Sequence, residues 1–184
     1  GYAVATNLSS SISGTKVALN NVSIGNDLLS TSEGVLDVVS TNYQRIRDLV
    51  GQAANGTYTT ADRTKIQAEI DSRLDEIATL TGNATFNGKT LFSGATGTKI
   101  TLQTGVSKSD NVVLGSSIFK AVAAGTLKTS VDAAFTTNTY TSLSNALSTI
   151  DTAISDITQR ISDIGAAQNK LEAVGSALAT QETN

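Results

Sequence analysis

The sequence of 184 residues contains no cysteine, histidine, proline, methionine or tryptophan, and aromatic residues make up 4% of it. Without cysteine there is no disulfide bond, no thiolate nucleophile and no cysteine-bound zinc or iron–sulfur cluster. Without histidine there is no Ser–His–Asp triad and no imidazole ligand for a metal. Because no nucleophile and base can be paired from what remains, the composition argues against an enzyme. We expect no cofactor and no bound metal.

The absence of proline favours long helices, since proline removes a helix hydrogen bond and clashes with the preceding turn. The scarcity of aromatic residues means that the core must be built from Ile, Leu, Val and Ala. Apolar runs are short, as at residues 121–124, whereas a membrane-spanning helix needs roughly 20 apolar residues. We therefore expect no membrane partner.

The charge is nearly balanced, with 13 Lys and Arg against 16 Asp and Glu, a net charge of −3 and a pI of about 4.8. Proteins that bind nucleic acids need clustered basic side chains to neutralise phosphates. A mildly acidic chain lacks that property, and we expect no nucleic-acid partner.

The C-terminal segment repeats apolar residues mostly at alternating intervals of four and three, which is the pattern of a helix that packs along one narrow seam. The repeat runs through Leu143, Leu147, Ile150, Ile154, Ile157, Ile161, Ile164, Gln168, Leu171, Val174 and Leu178. It predicts a helix from about residue 140 to residue 181 that packs in coiled-coil fashion.

The N-terminal third has a broader apolar pattern, which predicts a helix over residues 4–54. One stripe recurs every seven residues, at Val22, Leu29, Leu36, Tyr43 and Val50. A second stripe on an adjacent face consists of Leu28, Val35, Val38 and Leu49. Two stripes imply two packing partners. We expect the first stripe to face the C-terminal helix in an antiparallel pair, with Leu36, Tyr43 and Val50 opposite Ile150, Ile157 and Ile164.

The pattern changes twice between the two long helices. Asn55 and Gly56 favour the left-handed backbone that ends a helix. A second helix, antiparallel to the first, is predicted to begin at Thr60 as N-cap, with Asp62 in its first turn, and to end near residue 82. The glycine-rich residues 83–139 contain two short β-type runs, at 99–103 and 111–114, which predict a hairpin. Irregular chain is expected around 136–139.

These elements predict a mainly α fold: a rod-like antiparallel bundle of three long helices with a small β-hairpin region. The expected division is an N-terminal helical segment over 1–94, a short variable hairpin and irregular region over 95–139, and a C-terminal helix over 140–184. The last segment completes the same helical core as the first.

Four motifs, in this order, resemble those of bacterial flagellins. They are YQRIRDLVGQAANGT at 43–57, IQAEI at 66–70, TFNGKTL at 85–91 and IGAAQNKLE at 164–172. Residues 1–5 also resemble the stretch that follows the flagellin N-terminal tail, so the resemblance covers about 1–94 and 140–184. The sequence departs from the family at Gly51, where Ala, Ser or Val is common. It is also expected to lack the terminal helical tails and the large outer domains of flagellins.

The resemblance implies a structural subunit of the flagellar filament, exported to the outside of the cell, that serves motility. It implies self-assembly with other flagellin subunits through burial of helix faces, and an export chaperone that binds the C-terminal tail. Two alternatives stay open. One is a hook–filament junction protein of similar helical plan, and the other is a flagellin-like adhesin on the cell surface that binds polysaccharide.

The resemblance also implies a patch that contacts other proteins. In many flagellins an Arg and a Leu on the first helix, with a Glu on the next, form the surface that the innate immune receptor TLR5 recognises and that packs against a neighbouring subunit. These residues correspond to Arg45, Leu49 and Glu69, with Gln52 alongside. Since residues 45 and 49 are four apart, they share one side of the helix. We expect an exposed patch, with a solvated charged face as the plainer alternative.

Three carboxylates of the second predicted helix, Asp71, Asp75 and Glu76, invite comparison with a metal or acid–base cluster. No calcium-loop pattern surrounds them, and Lys65 and Arg73 lie on the same helix. We predict that they form a solvated face.

Overall fold

A computed structural model describes residues 2–94 and 99–183 of the chain. Within these ranges it contains helices α1 (Tyr2–Ala54), α2 (Thr60–Asn83), α3 (Ala124–Thr137) and α4 (Tyr140–Thr183). It also contains strands β1 (Thr85–Phe86), β2 (Lys89–Thr90), β3 (Ile100–Gln103) and β4 (Asn111–Leu114). The predicted mainly α fold with a small hairpin region is confirmed. Gly1 of the N-terminal stretch 1–5, Asn184 and residues 95–98 at the start of the variable region lie outside the described residues.

The two long helices α1 and α4 form the most extensive helix–helix interface in the described part of the chain. Arg47 of α1 pairs with Asp151 of α4, whereas Val22, near the other end, approaches to 3.4 Å of where a Cβ atom on Gly175 would lie. Residue numbers therefore rise along one helix as they fall along the other, and the predicted antiparallel arrangement is confirmed. At 1.5 Å per residue, the 53 residues of α1 extend for about 80 Å.

The α1–α4 seam is buried with a heptad rhythm. The six residues expected to face each other, Leu36, Tyr43, Val50, Ile150, Ile157 and Ile164, are each at most 2% exposed. On α4 the buried leucines and isoleucines recur every seven positions, at Leu143, Ile150, Ile157, Ile164, Leu171 and Leu178. The other apolar residues of the repeat, Leu147, Ile154, Ile161 and Val174, are half-buried, and Ala146 and Arg160 are buried as well. Burial also raises the pKa of Tyr43 to about 12, so its phenol stays neutral within the seam.

Helix α2 folds back antiparallel on α1 after a tight turn, as predicted, but its N-cap is Thr59 rather than Thr60. The Thr59 hydroxyl accepts a hydrogen bond from the Asp62 backbone N–H at 3.1 Å, and the Asp62 carboxylate accepts one from the Thr59 N–H at 3.0 Å. This reciprocal pair requires the carboxylate three residues after the cap, a spacing that Thr59 satisfies and Thr60 does not. Both hydrogen bonds lower the pKa of Asp62.

The prediction of three helices is wrong, because the structure contains a further helix, α3. This helix also includes residues 136 and 137, where irregular chain was predicted. Its buried residues, Ala124, Leu127, Val131 and Phe135, recur at intervals of three and four and so form one apolar face. Asn138, with a φ of 53°, ends the helix in the left-handed conformation. Thr139 and Ser142 then exchange hydrogen bonds of 3.0 Å that begin α4.

Arg160 of α4 anchors the irregular chain that precedes α3. It is 4% exposed, donates to the backbone carbonyls of Lys120 and Ala121, and pairs with Asp156 at 3.0 Å. Those carbonyls lie outside any helix or strand and need a donor when they are removed from water. The guanidinium group therefore satisfies the backbone between β4 and α3.

Two hairpins lie alongside the first half of α1, and the longer one also lies near the last turns of α4. The predicted hairpin is the antiparallel pair of β3 and β4, and the shorter pair of β1 and β2 was not expected. The β1–β2 turn has positive φ angles at both Asn87 and Gly88, 50° and 79°, as the tight turns of hairpins require. The Asn21 amide donates to the Gln103 carbonyl at 2.9 Å and so fixes β3 on α1.

Gly25 lets β3 approach α1 closely. A Cβ atom on Gly25 would meet the Leu102 side chain and lie 3.0 Å from Leu171 Cδ1, whereas a Cβ atom on Gly34 would meet nothing within 4 Å. Leu28, a member of the second stripe, is buried together with Leu102 in the core.

We predict opposite shifts in stability for two Gly→Ala substitutions in α1. Gly34→Ala should raise the free energy of unfolding by up to about 1 kcal/mol, since alanine is the better helix former. Gly25→Ala should leave the free energy of unfolding unchanged or lower it, because Leu102 must move to make room for the methyl group. Chemical denaturation followed by circular dichroism measures both. Equal stabilisation by the two substitutions would contradict the assigned role of Gly25.

Candidate functional site

The four residues predicted to form a contact patch lie on the neighbouring faces of α1 and α2. Arg45 and Gln52 are exposed on α1, and Glu69 is half-buried on α2. The Arg45 guanidinium lies 3.5 Å from the Glu69 carboxylate. The structure therefore brings Arg45 and Glu69 together, with the Gln52 side chain exposed farther along α1.

Leu49 departs from the expectation of an exposed patch. It is 3% exposed and belongs to the main hydrophobic core. Positions 45 and 49 do share a side of α1, but α2 packs antiparallel over that side, with Glu69 opposite Arg45. Ile66, one turn before Glu69, lies level with Leu49 in this register and packs against the same core. The polar rim of the patch is therefore accessible, and its leucine is covered by α2.

Arg73 and Asn42 extend the patch into a network that the sequence motif did not include. Arg73 lies 3.6 Å from the second Glu69 oxygen, four residues earlier on α2, and donates to the Asn42 side-chain carbonyl at 2.9 Å. Asn42 is 8% exposed and donates to the Val38 backbone carbonyl at 3.1 Å. The i,i+4 spacing of Glu69 and Arg73 was the available sequence signal; the Asn42 contact required knowledge of the α1–α2 register.

A shallow groove runs beside this network between α1 and α2. Its volume is about 630 Å³, and it is lined by apolar side chains of both helices, including Val35, Val38 and Leu80, with polar residues such as Glu76 and Thr79. Val38 is 44% exposed. Two members of the second apolar stripe, Val35 and Val38, thus stay open to solvent although Leu28 and Leu49 are buried.

The acidic residues of α2 are only partly the solvated face that was predicted. Asp75 is exposed and pairs with Lys128 of α3 at 3.0 Å. The prediction that Asp71 lies on a solvated face is wrong. Its carboxyl group adjoins that of Asp132 on α3, and one of its oxygens is buried. The sequence did not show this because α3 itself was not expected.

Over residues 2–94 and 99–183, three or more Asp or Glu side chains do not converge where they could hold a metal ion. Over the same residues, no helix combines the length and apolar character needed to cross a bilayer.

Comparison with known sequences relates this chain to one protein family. Residues 1–96 match the family described as the bacterial flagellin N-terminal helical region, and these are 96 of the 184 residues. A flagellin of Salmonella muenchen is 33% identical over 136 residues, which cover 74% of this chain and 26% of that protein. The chain thus spans about a quarter of the length of that curated relative.

Two solved structures have a similar fold. The putative flagellar hook-associated protein from Vibrio parahaemolyticus superposes with a TM-score of 0.84 at 20% identity, over 97% of this chain and 91% of that chain. Bacillus cereus flagellin superposes with a TM-score of 0.69 at 26% identity, over 86% of this chain and 88% of that chain. At 20% identity, the first similarity establishes a shared fold.

We predict that Leu49 and Arg45 contribute differently to stability. Leu49→Ala should lower the free energy of unfolding by about 2–5 kcal/mol, because it leaves a cavity in the core. Arg45→Ala should lower it by less than about 1 kcal/mol, because the ion pair with Glu69 is partly exposed and screened by solvent. Urea denaturation of both variants tests this, and similar losses would contradict the assignment of Leu49 to the core.

Proposed function

Since the chain belongs to the bacterial flagellin family, we propose that it is a structural subunit of the flagellar filament, without enzymatic activity, and that it serves motility outside the cell. Subunits assemble by burying helix faces against one another, because removing apolar surface from water drives association. Export before assembly involves a chaperone that binds a C-terminal tail.

The observation that supports this function best is the open α1–α2 groove. Val38 lies in it at 44% exposure, and Val35 and Leu80 line it. In a rod of long helices, such a groove between two helices can receive a side-chain ridge of another helix. A neighbouring subunit is the occupant that the family relationship favours.

Immunogold labelling of cells that produce the protein tests the proposed function. Label along the whole filament supports a filament subunit. Label confined to the hook end of the filament would overturn that assignment in favour of a hook–filament junction protein, the alternative that the similarity to a putative hook-associated protein favours. Deletion of the gene should shorten or remove filaments, and unchanged filaments and swimming would overturn the proposal.

We predict that a charge in the α1–α2 groove blocks assembly. Val38→Glu should fold normally, because the side chain is already partly in water, but it should shorten filaments and reduce swimming, since an unpaired carboxylate would be buried between subunits. Val113→Glu is the matched control, because Val113 is 45% exposed on β4. Electron microscopy of both mutants measures filament length. Filaments of normal length with Val38→Glu would mean that this groove is not a subunit contact.

We further propose that TLR5 recognises the patch formed by Arg45, Gln52 and Glu69, with Leu49 as the buried support beneath it. The retained residue types and the 3.5 Å Arg45–Glu69 pair support this proposal. Arg side chains are favoured at binding hot spots because their planar group donates several hydrogen bonds. A receptor approaching this face would meet the polar rim first.

The chain supplies a matched pair of arginines for a receptor test. The Arg45 and Arg47 side chains are 44% and 43% exposed, and each is ion-paired with another helix, Arg45 with Glu69 and Arg47 with Asp151. Arg45→Ala should lower receptor activation in a reporter-cell assay by about tenfold or more, equivalent to roughly 1.4 kcal/mol or more of lost binding, and Arg47→Ala should change it little. Equal effects of the two variants, or no activation by the unmodified protein, would contradict the proposal.

A further inference from the structure

The α2–α3 interface contains a polar cluster that the proposed filament and receptor contacts do not use. Helix α3 buries Leu127 and Val131 on its apolar face, and its Asp132 meets α2. The Gln67 side-chain amide donates to Asp132 Oδ1 at 3.1 Å. One turn farther along α2, the Asp71 carboxyl group adjoins the Asp132 carboxyl group, close enough for one hydrogen bond to join them. Two acidic side chains from different helices therefore share one contact.

This contact requires a proton, because ionised carboxylates only accept hydrogen bonds. Gln67 already donates to Asp132, which favours Asp132 as the ionised acceptor and Asp71 as the group that holds the proton. The Oδ1 atom of Asp71 is buried and has no hydrogen-bond partner among the described residues. Negative charge on Asp71 is therefore poorly solvated where α3 covers it.

The charged neighbours do not offset the poor solvation of negative charge on Asp71. On α3, Asp132 repels an ionised Asp71, and Lys128 attracts it. Lys128, however, lies 3.0 Å from Asp75 on α2 and is largely neutralised by that carboxylate. From α1, Arg45 pairs with Glu69 on α2. Burial, followed by the hydrogen bond to Asp132, raises the pKa of Asp71 to about 6.

We propose that the α2–α3 contact is a proton-dependent latch, closed when Asp71 holds a proton that it donates to Asp132 and loosened when Asp71 is ionised. The latch holds α3 against α2. Because the pKa of Asp71 in the closed contact lies above its ordinary value of 3.8, the stabilisation is fully present below about pH 4. It is lost as the pH rises through about 6.

Hydrogen exchange of the α3 backbone amides tests the latch, after correction for the intrinsic pH dependence of exchange. Between pH 5 and pH 7.5, a pKa of about 6 in the closed contact against 3.8 in the open one predicts about a tenfold rise in the local opening constant. Asp71→Asn should abolish the rise, because an amide donates to Asp132 without a titrating charge. Asp151→Asn, which removes a carboxylate paired with Arg47 on the α1–α4 seam, should retain it.

An NMR titration of the Asp71 side-chain carboxyl carbon provides a second measurement that needs no variant. A midpoint near pH 6 supports the latch. A midpoint near pH 4, or an α3 opening constant that stays flat from pH 5 to pH 7.5, would overturn it. The same pH-dependent rise in the Asp71→Asn variant would also overturn it, since another group would then be the sensor.

Discussion

The antiparallel seam between α1 and α4 is the constraint on which the other elements depend. It buries a leucine or isoleucine at every seventh position of α4, from Leu143 to Leu178, and it is the most extensive helix–helix contact among the described residues. Helix α2 and strand β3 pack on α1, and helix α3 packs on α4. An interruption in the seam would displace these attachments together, whereas loss of one attachment would leave the seam intact.

Two of these helix contacts share one feature. An arginine side chain donates a hydrogen bond to a backbone carbonyl that has no donor within its own secondary structure. Arg160 donates to the carbonyls of Lys120 and Ala121, ahead of α3. Arg63 donates to the Ala53 carbonyl at 2.9 Å, where α1 ends. A buried carbonyl without a donor is costly, and arginine presents several donors in a fixed plane. These arginines thus connect the ends of elements to the seam, while apolar side chains determine register.

The sequence predicted the helices whose apolar pattern repeats. It did not predict features that depend on how one element packs against another. The heptads of α1 and α4 specified length, direction and buried residues because each repeat restates the same pattern. Helix α3 was missed because Gly125 and several Ser and Thr residues weaken its helix propensity, and packing of Phe135 and its neighbours overrides that. Arg45 and Glu69 meet as the resemblance implied. The burial of Leu49 and of Asp71 depends on which helix crosses above each of them, and local spacing carries no information about that crossing.

The second stripe of α1 shows how one continuous sequence pattern is divided in the folded chain. Val38 and Leu49 are eleven residues apart, about three helical turns, so both lie on one side of α1. Leu49 is buried where α2 carries Ile66. Val38 stays exposed where the facing residues of α2 are Glu76 and Thr79, which do not fill the groove. The difference between a core position and an open one therefore arises from α2 and not from α1. A stripe that the sequence presents as uniform has buried ends and an open centre, and the centre is where a second molecule can add contacts without displacing any element of the chain.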